Sequence, residues 1–163
     1  LLAQPRVPAF VARARYARFV PLVSASIRLL GSPVIDPKRD PRGAVETIRS
    51  GARRLPHGLL IFPEGHRSTD GEIRPFRTSG IEAVLADRRL PVYLVLNDGL
   101  WRVRRLVDLL FRVHLVDATS EVVGRFEPPE AVAELPAFVE RLRRTLVERL
   151  AARRAAGDAG RAA

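Results

Sequence analysis

An α/β fold, with a mixed and largely parallel sheet flanked by helices, is what this sequence predicts, and three observations carry the prediction. Short apolar runs bounded by turn residues, at 59–62 and 91–96, alternate with stretches whose apolar residues recur at helical spacing. The chain has 163 residues, 47% of them apolar, enough for one domain with a real core and too apolar to stay disordered. Glycine and proline punctuate the polar stretch at 63–78 that follows the first run.

The elements follow in order. Residues 6–13, with Val7, Phe10 and Val11, read as a short strand leading into a loop around Tyr16. Residues 19–30 read as a helix ending at Gly31, and 32–36 as a short strand. Asp40-Pro41 has the form of an N-cap followed by proline at the first helical position. The helix after it presents Ala44, Val45, Ile48, Ala52 and Leu55 on one stripe, until His57-Gly58 ends it. The run at 59–62 has the mark of a buried strand, and 63–78 that of a polar loop. Ser79 and Glu82 match a capping box opening a helix through Arg89. A second buried strand is expected at 91–96, with Asn97-Asp98-Gly99 turning the chain. Residues 101–110 read as a helix with Val103, Leu106, Val107 and Leu110 on one face, and 112–125 as one or two strands. Pro128-Pro129 precedes a last helix over about 134–154, its stripe made of Leu135, Phe138, Val139, Leu142, Leu146 and Leu150. Residues 156–163 are expected to form a flexible tail behind a single domain at 1–155.

The net charge is +10, so the surface attracts anions: nucleic acid, anionic lipid headgroups or phosphorylated small molecules. Arginines on helix faces that merely keep the domain soluble give the same number. There is no cysteine, hence no disulfide framework and no cysteine nucleophile or ligand. No His, Asp and Glu cluster has metal-ligand spacing, so no metal is expected. No apolar run approaches the roughly 20 residues that span a bilayer. No signal-peptide order of basic then apolar residues opens the chain.

The chemistry concentrates in 59–80, LLIFPEGHRSTDGEIRPFRTSG. A strand ends and at once exposes Glu64, Gly65, His66, Arg67 and Ser68, where the loops of open α/β sheets form ligand crevices. Gly65 allows close approach to the backbone, and Arg67 offers a planar fork suited to phosphate. Glu64 is an acceptor for a sugar or glycerol hydroxyl, or for a neighbouring arginine. Taken alone, Pro-Glu-Gly is also a common turn in which Glu and Arg form a solvated ion pair.

The stretch resembles the signature of the glycerolipid acyltransferases related to 1-acylglycerol-3-phosphate acyltransferase. Their Phe-Pro-Glu-Gly-Thr-Arg-Ser is met by Phe62-Pro63-Glu64-Gly65-His66-Arg67-Ser68, six positions of seven, with His66 in place of Thr. Asp70-Gly71 and Pro75-Phe76-Arg77 follow at the family's spacing. Two weaker blocks flank it. Gly31 through Val34-Ile35-Asp36 is similar to Gly-x-x-x-Ile-Asp-Arg, with Pro37 in place of Arg and Lys38 or Arg39 to replace its charge. Leu90-Pro91-Val92-Tyr93-Leu94-Val95 is similar to the Val-Pro-Val-x-Pro-Val strand, with Leu94 for its second Pro. The resemblance covers about 5–100.

The resemblance implies a glycerol-3-phosphate acyltransferase-like fold. It implies transfer of a fatty acyl group from acyl-CoA or acyl-carrier protein to the free hydroxyl of a lysophospholipid phosphate, in phospholipid biosynthesis. Phe62, Pro63, Glu64, Gly65, His66, Arg67 and Ser68 would bind the acceptor's glycerol phosphate, and Asp36, Lys38, Arg39 and Arg77 would complete the site. No cofactor is implied, since the acyl thioester is a substrate. An anionic membrane surface is the expected partner, at the cytoplasmic face of a bacterial cell membrane. Nucleic acid is not expected, because no common nucleic-acid motif is present and aromatics do not interleave with the arginines. The sequence carries no signal for oligomeric state.

The family's catalytic pair is a His and an Asp separated by four residues, the His acting as general base and the Asp orienting it. This sequence has His57, His66 and His114, followed at that spacing by Phe62, Gly71 and Thr119. His66 and Asp70 miss the spacing by one. The pair is therefore expected upstream of Leu1, in a segment lost by N-terminal truncation. The alternatives are a catalytically inactive lipid-binding homologue, or a basic module binding nucleic acid or an anionic surface.

Overall fold

The computed structural model describes residues 7–19, 21–55, 58–66, 68–102 and 118–162. They fall into two compact units, Leu1–Pro63 with Arg77–Arg89, and Glu64–Phe76 with Leu90–Ala163.

The first unit begins with β1 (Ala9–Phe10) and β2 (Ala12–Arg13), two pieces of one extended segment. The helices α1 (Ala14–Phe19) and α2 (Pro21–Leu29) follow, then β3 (Val34–Ile35), α3 (Pro41–Arg54), β4 (Leu59–Leu60) and α4 (Ser79–Asp87). The extended segment changes partner along its length. β1 pairs parallel with β4, Ala9 opposite Leu59, and β2 pairs parallel with β3, Ala12 opposite Val34. Between them the Val11 N–H reaches the Leu60 carbonyl at 3.0 Å and the Ala12 N–H reaches the Pro33 carbonyl at 2.9 Å.

The parallel pairing and the flanking helices bear out the α/β expectation. The loop expected around Tyr16 is helical instead, because Ala14, Arg15 and Ala17 are good helix formers. α2 ends as its glycine requires: the Ser32 N–H bonds to the Ile27 carbonyl and the Gly31 N–H to that of Arg28, with Gly31 at φ +61°. That is a Schellman motif. α3 starts at the expected cap, with the Asp40 carboxylate accepting the Gly43 N–H at 2.8 Å and Pro41 in the first turn.

The capping box at Ser79 does not form. Thr78 is the cap residue, already helical at φ −78° and ψ −31°, and makes no side-chain cap bond. Ser79 lies inside the helix, which ends at Asp87 rather than Arg89. The run at 59–62 is also not buried. Its ladder is two residues long on one neighbour, leaving Leu60 39% and Phe62 56% exposed. A four-residue apolar run reads as a strand covered on both faces only where other elements supply the cover.

The core of this unit is small-grained: Ala9, Ala12, Ala44, Ala52 and Ala83 with Ile27, Ile48, Val84 and Leu85. Small residues let α3 approach its neighbours closely. A Cβ added at Gly51 would lie 2.6 Å from the ring Cγ of Pro33, and one at Gly80 would lie 2.9 Å from Cδ1 of Ile48. The Pro33 ring cannot swing aside, whereas the end of the Ile48 side chain can. Gly51→Ala is therefore expected to lower stability by about 1–3 kcal/mol of overpacking, less up to about 1 kcal/mol of helix propensity regained. Gly80→Ala is expected to stay within about 0.5 kcal/mol of wild type. Urea denaturation midpoints check both.

The second unit holds β5 (Val92–Asp98), a 3-10 turn at Leu100–Arg102, β6 (Thr119–Phe126), a 3-10 turn at Val132–Glu134, and α5 (Leu135–Ala162). β5 and β6 are antiparallel, Val92 opposite Phe126 and Asp98 opposite Thr119, with an irregularity between Leu94 and Val95. The sequence predicts β5 as a buried strand; only one face is covered, with Leu94 and Leu96 buried and Tyr93 61% exposed. α5 packs on β5. All six residues of its predicted stripe, from Leu135 to Leu150, are buried. It runs to Ala162, past the end expected at Arg154. The helix expected at 101–110 is a 3-10 turn as far as Arg102, and Val103, Leu106, Val107, Leu110, His57 and His114 lie outside the described residues.

Candidate functional site

The candidate site is the excursion between β4 and α4. Its base is closed in the first unit, where the Arg77 N–H donates to the Pro63 carbonyl at 2.8 Å. The excursion itself, Glu64–Phe76, belongs to the second unit, and its described residues have no regular secondary structure. Its shape comes from side chains bonding to nearby backbone.

Glu64 sets the long closure: Oε2 accepts the Arg74 backbone N–H at 2.9 Å. Glu64 is thus an ordering group of the loop. Ser68 and Asp70 build the tip. Ser68 Oγ accepts the Gly71 N–H at 2.8 Å and donates to Asp70 Oδ1 at 3.1 Å. Asp70 Oδ1 also accepts the Glu72 N–H at 3.0 Å, an Asx turn, and its other oxygen pairs with Arg74. Two glycines serve positions with positive φ, Gly65 at +68° and Gly71 at +84°. Gly71 is buried, and a Cβ there would lie 2.8 Å from the Trp101 ring and 2.7 Å from Arg154 Nη2. A side chain at 71 would be strained in its backbone and crowded by Trp101 and Arg154.

The hydrogen bond from the Glu72 N–H holds the Asp70 carboxyl below the usual carboxylate range, helped by Ser68 and by the charge of Arg74. A carboxylate with a depressed pKa stabilises the folded loop above its unfolded value of about 3.9, and that contribution is lost as pH falls through the lower, folded value. The tip is accordingly expected to stay ordered from neutral pH down to about 4 and to loosen below it. A carboxyl NMR titration checks this: the Asp70 midpoint should lie below about 3.9, and Asp70→Asn should remove the transition.

Of the residues the sequence singled out, Glu64 and Ser68 are brought into one hydrogen-bonded loop with Gly65 and the exposed His66. Asp36, Lys38 and Arg39 share an exposed turn in the first unit, where the Asp36 carbonyl accepts the N–H groups of Arg39 at 3.1 Å and Asp40 at 2.9 Å. Phe62 and Pro63 lead out of β4, and Arg77 is exposed at the loop base. Arg67 lies outside the described residues. The Asp70 oxygens are engaged by Ser68, Glu72 and Arg74.

Sequence reasoning missed the partners of the loop. Arg74 was not singled out, and its backbone is what Glu64 holds. Asp98, Trp101 and Arg154 also surround Gly71 and Glu72. The only sequence signals were the chain's single Trp and a glycine inside Asp70-Gly71.

A family model described as Acyltransferase matches residues 1–95, more than half of the 163-residue chain. No curated protein and no solved structure matches it. The matched span contains the whole loop and ends within β5, ahead of Asp98, Trp101, β6 and α5.

Proposed function

The chain belongs to the acyltransferase family, and we propose that it serves transfer of a fatty acyl group from acyl-CoA or acyl-carrier protein to the free hydroxyl of a 1-acylglycerol-3-phosphate. In that reaction the hydroxyl oxygen attacks the thioester carbonyl, the C–O bond forms, and the C–S bond breaks. The hydroxyl proton passes to a base and the thiol leaves. The supporting observation is the self-ordered loop Glu64–Phe76, with Glu64 on the Arg74 N–H and the Ser68–Asp70 tip. A loop ordered from within loses less entropy on binding.

Within that reading, Arg67 grips the acceptor phosphate, Gly65 permits its approach, and Arg77, Lys38 and Arg39 add positive potential. Glu64 acts on the acceptor through the loop it holds. No cofactor takes part. None of His57, His66 and His114 has an Asp at the family's spacing, so none is assigned as the base. The second reading is an inactive homologue that binds the same lipid. Thermal denaturation tests the acceptor assignment. Titration with sn-glycerol 3-phosphate should raise Tm in a saturable way, while glycerol should not. An equal response to both would remove the phosphate role.

We place the protein at an anionic membrane surface, the cytoplasmic face of a cell membrane, on the strength of its +10 charge and a substrate that lives in bilayers. Among the described residues no helix is long and apolar enough to cross a membrane. Each interfacial Lys or Arg contributes about 1 kcal/mol near an anionic bilayer, and salt shortens its reach. Co-sedimentation with anionic vesicles is expected to exceed that with neutral vesicles at low salt and to fall as salt rises. Equal sedimentation with both would contradict the placement, and tight sequence-selective oligonucleotide binding would favour a nucleic-acid module.

A further inference from the structure

The loop's own bonds set its shape; what sets its place in the second unit comes from outside the segment that matches the family. Arg154, near the end of α5, donates from Nη2 to the Gly71 carbonyl at 2.8 Å. Its Nη1 meets Glu72 Oε1, also at 2.8 Å. The same Nη2 lies 3.6 Å from Asp98 Oδ1. Asp98 Oδ1 in turn accepts the Gly99 N–H at 2.8 Å and the Trp101 Nε1–H at 3.1 Å. Asp98 therefore fixes the indole that walls one side of Gly71, while the guanidinium walls another. One planar fork serves a carbonyl and a carboxylate on the loop, 83 and 82 residues away in sequence, and leans on a carboxylate at the end of β5. Lysine has no such geometry. The Arg154 side chain is 35% exposed, so the pair with Glu72 is a weak source of global stability. Its consequence is local.

We propose that Arg154 is a positioning residue for the motif loop, seating Gly71 and Glu72 against Trp101 and Asp98 so that Glu64, Gly65 and Ser68 are held where they receive the acceptor phosphate. The effect on phosphate rests on the function proposed above; the effect on loop order does not. α5 would then tune a site whose motif lies wholly in the first 95 residues.

The experiment compares the full chain with Arg154→Ala, Arg154→Lys and Glu72→Ala by amide hydrogen exchange, and each with wild type for sn-glycerol 3-phosphate affinity. Arg154→Ala is expected to speed exchange over 68–74 by about 10-fold or more while the amides of 138–146 in α5 keep their wild-type rates; tenfold corresponds to about 1.4 kcal/mol. Glu72→Ala, which removes one arm, should act in the same direction and less. Arg154→Lys should recover part of the loss. Glycerol 3-phosphate affinity should fall in the same order as loop protection. Wild-type loop exchange in Arg154→Ala overturns the proposal, as does an equal rise in loop and helix. Loosening of the loop in a chain that binds no glycerol 3-phosphate keeps the positioning and removes the phosphate reading. Intact phosphate binding with an unmoved loop removes the positioning and keeps that reading.

Discussion

Arg67→Ala is expected to weaken binding of lysophosphatidate by about 10- to 150-fold. A hydrogen bond to a charged group contributes roughly 1.5–3 kcal/mol, and 1.4 kcal/mol is a factor of ten. Arg67 stands three residues after Glu64 in the family-matched span, in a loop that Glu64 closes onto Arg74. A guanidinium can give a phosphate two parallel hydrogen bonds, so Arg67→Lys should recover only part of the loss. A purely local role would pair Arg67 with Glu64 or Asp70. Such a pair would contribute only about 0–1 kcal/mol to stability and would leave lysophosphatidate affinity unchanged. Isothermal titration with wild type and both variants, each shown folded by circular dichroism, measures the ratio. Equal affinity in all three would assign Arg67 elsewhere.

The second large effect concerns turnover. Given acyl-CoA and lysophosphatidate, the 163-residue chain alone is expected to show no more than trace acyl transfer. General acid–base catalysis contributes typically 10²–10⁴-fold, and this sequence holds no His–Asp pair at the family's spacing. Supplying that pair ahead of Leu1, in frame with the family's spacing to the Glu64 motif, should raise the rate by about that factor. Robust turnover by the chain alone would contradict this and direct attention to His66, whose substitution by Ala should then abolish it. A chain that stays inactive with the pair supplied, yet binds lysophosphatidate, would be a lipid-binding homologue.

Which parts of this were legible in the sequence follows from how local each signal is. The α5 stripe was readable because six apolar side chains at helical spacing have one way to face a core, and all six are buried. The Asp40 cap and the Gly31 terminus were readable because each is completed within five residues. The Ser79–Glu82 pattern misled because Thr78, one residue earlier, is already helical and takes the cap position. The exposure of Leu60 and Phe62, and the single covered face of β5, depend on which neighbours arrive, and no local pattern states that. The segment around Glu64 and Gly65 was legible as a polar loop; Glu64's role as a clamp was not, because its partner is a backbone N–H ten residues on. The Arg154 contacts with the loop span more than eighty residues, and nothing near position 154 distinguishes that arginine from its neighbours on α5.

The central claim is that Glu64–Phe76 receives a phosphate monoester, and amide NMR of the chain read against two lysolipids tests it most directly. With short-chain lysophosphatidate, saturable shifts should concentrate at 64–76, including the Arg74 amide that Glu64 holds, and should disappear in Arg67→Ala. Lysophosphatidylcholine, whose phosphate is blocked as a diester, should leave those amides in place. Equal shifts with both lipids, or lysophosphatidate shifts that avoid 64–76 altogether, would contradict the account.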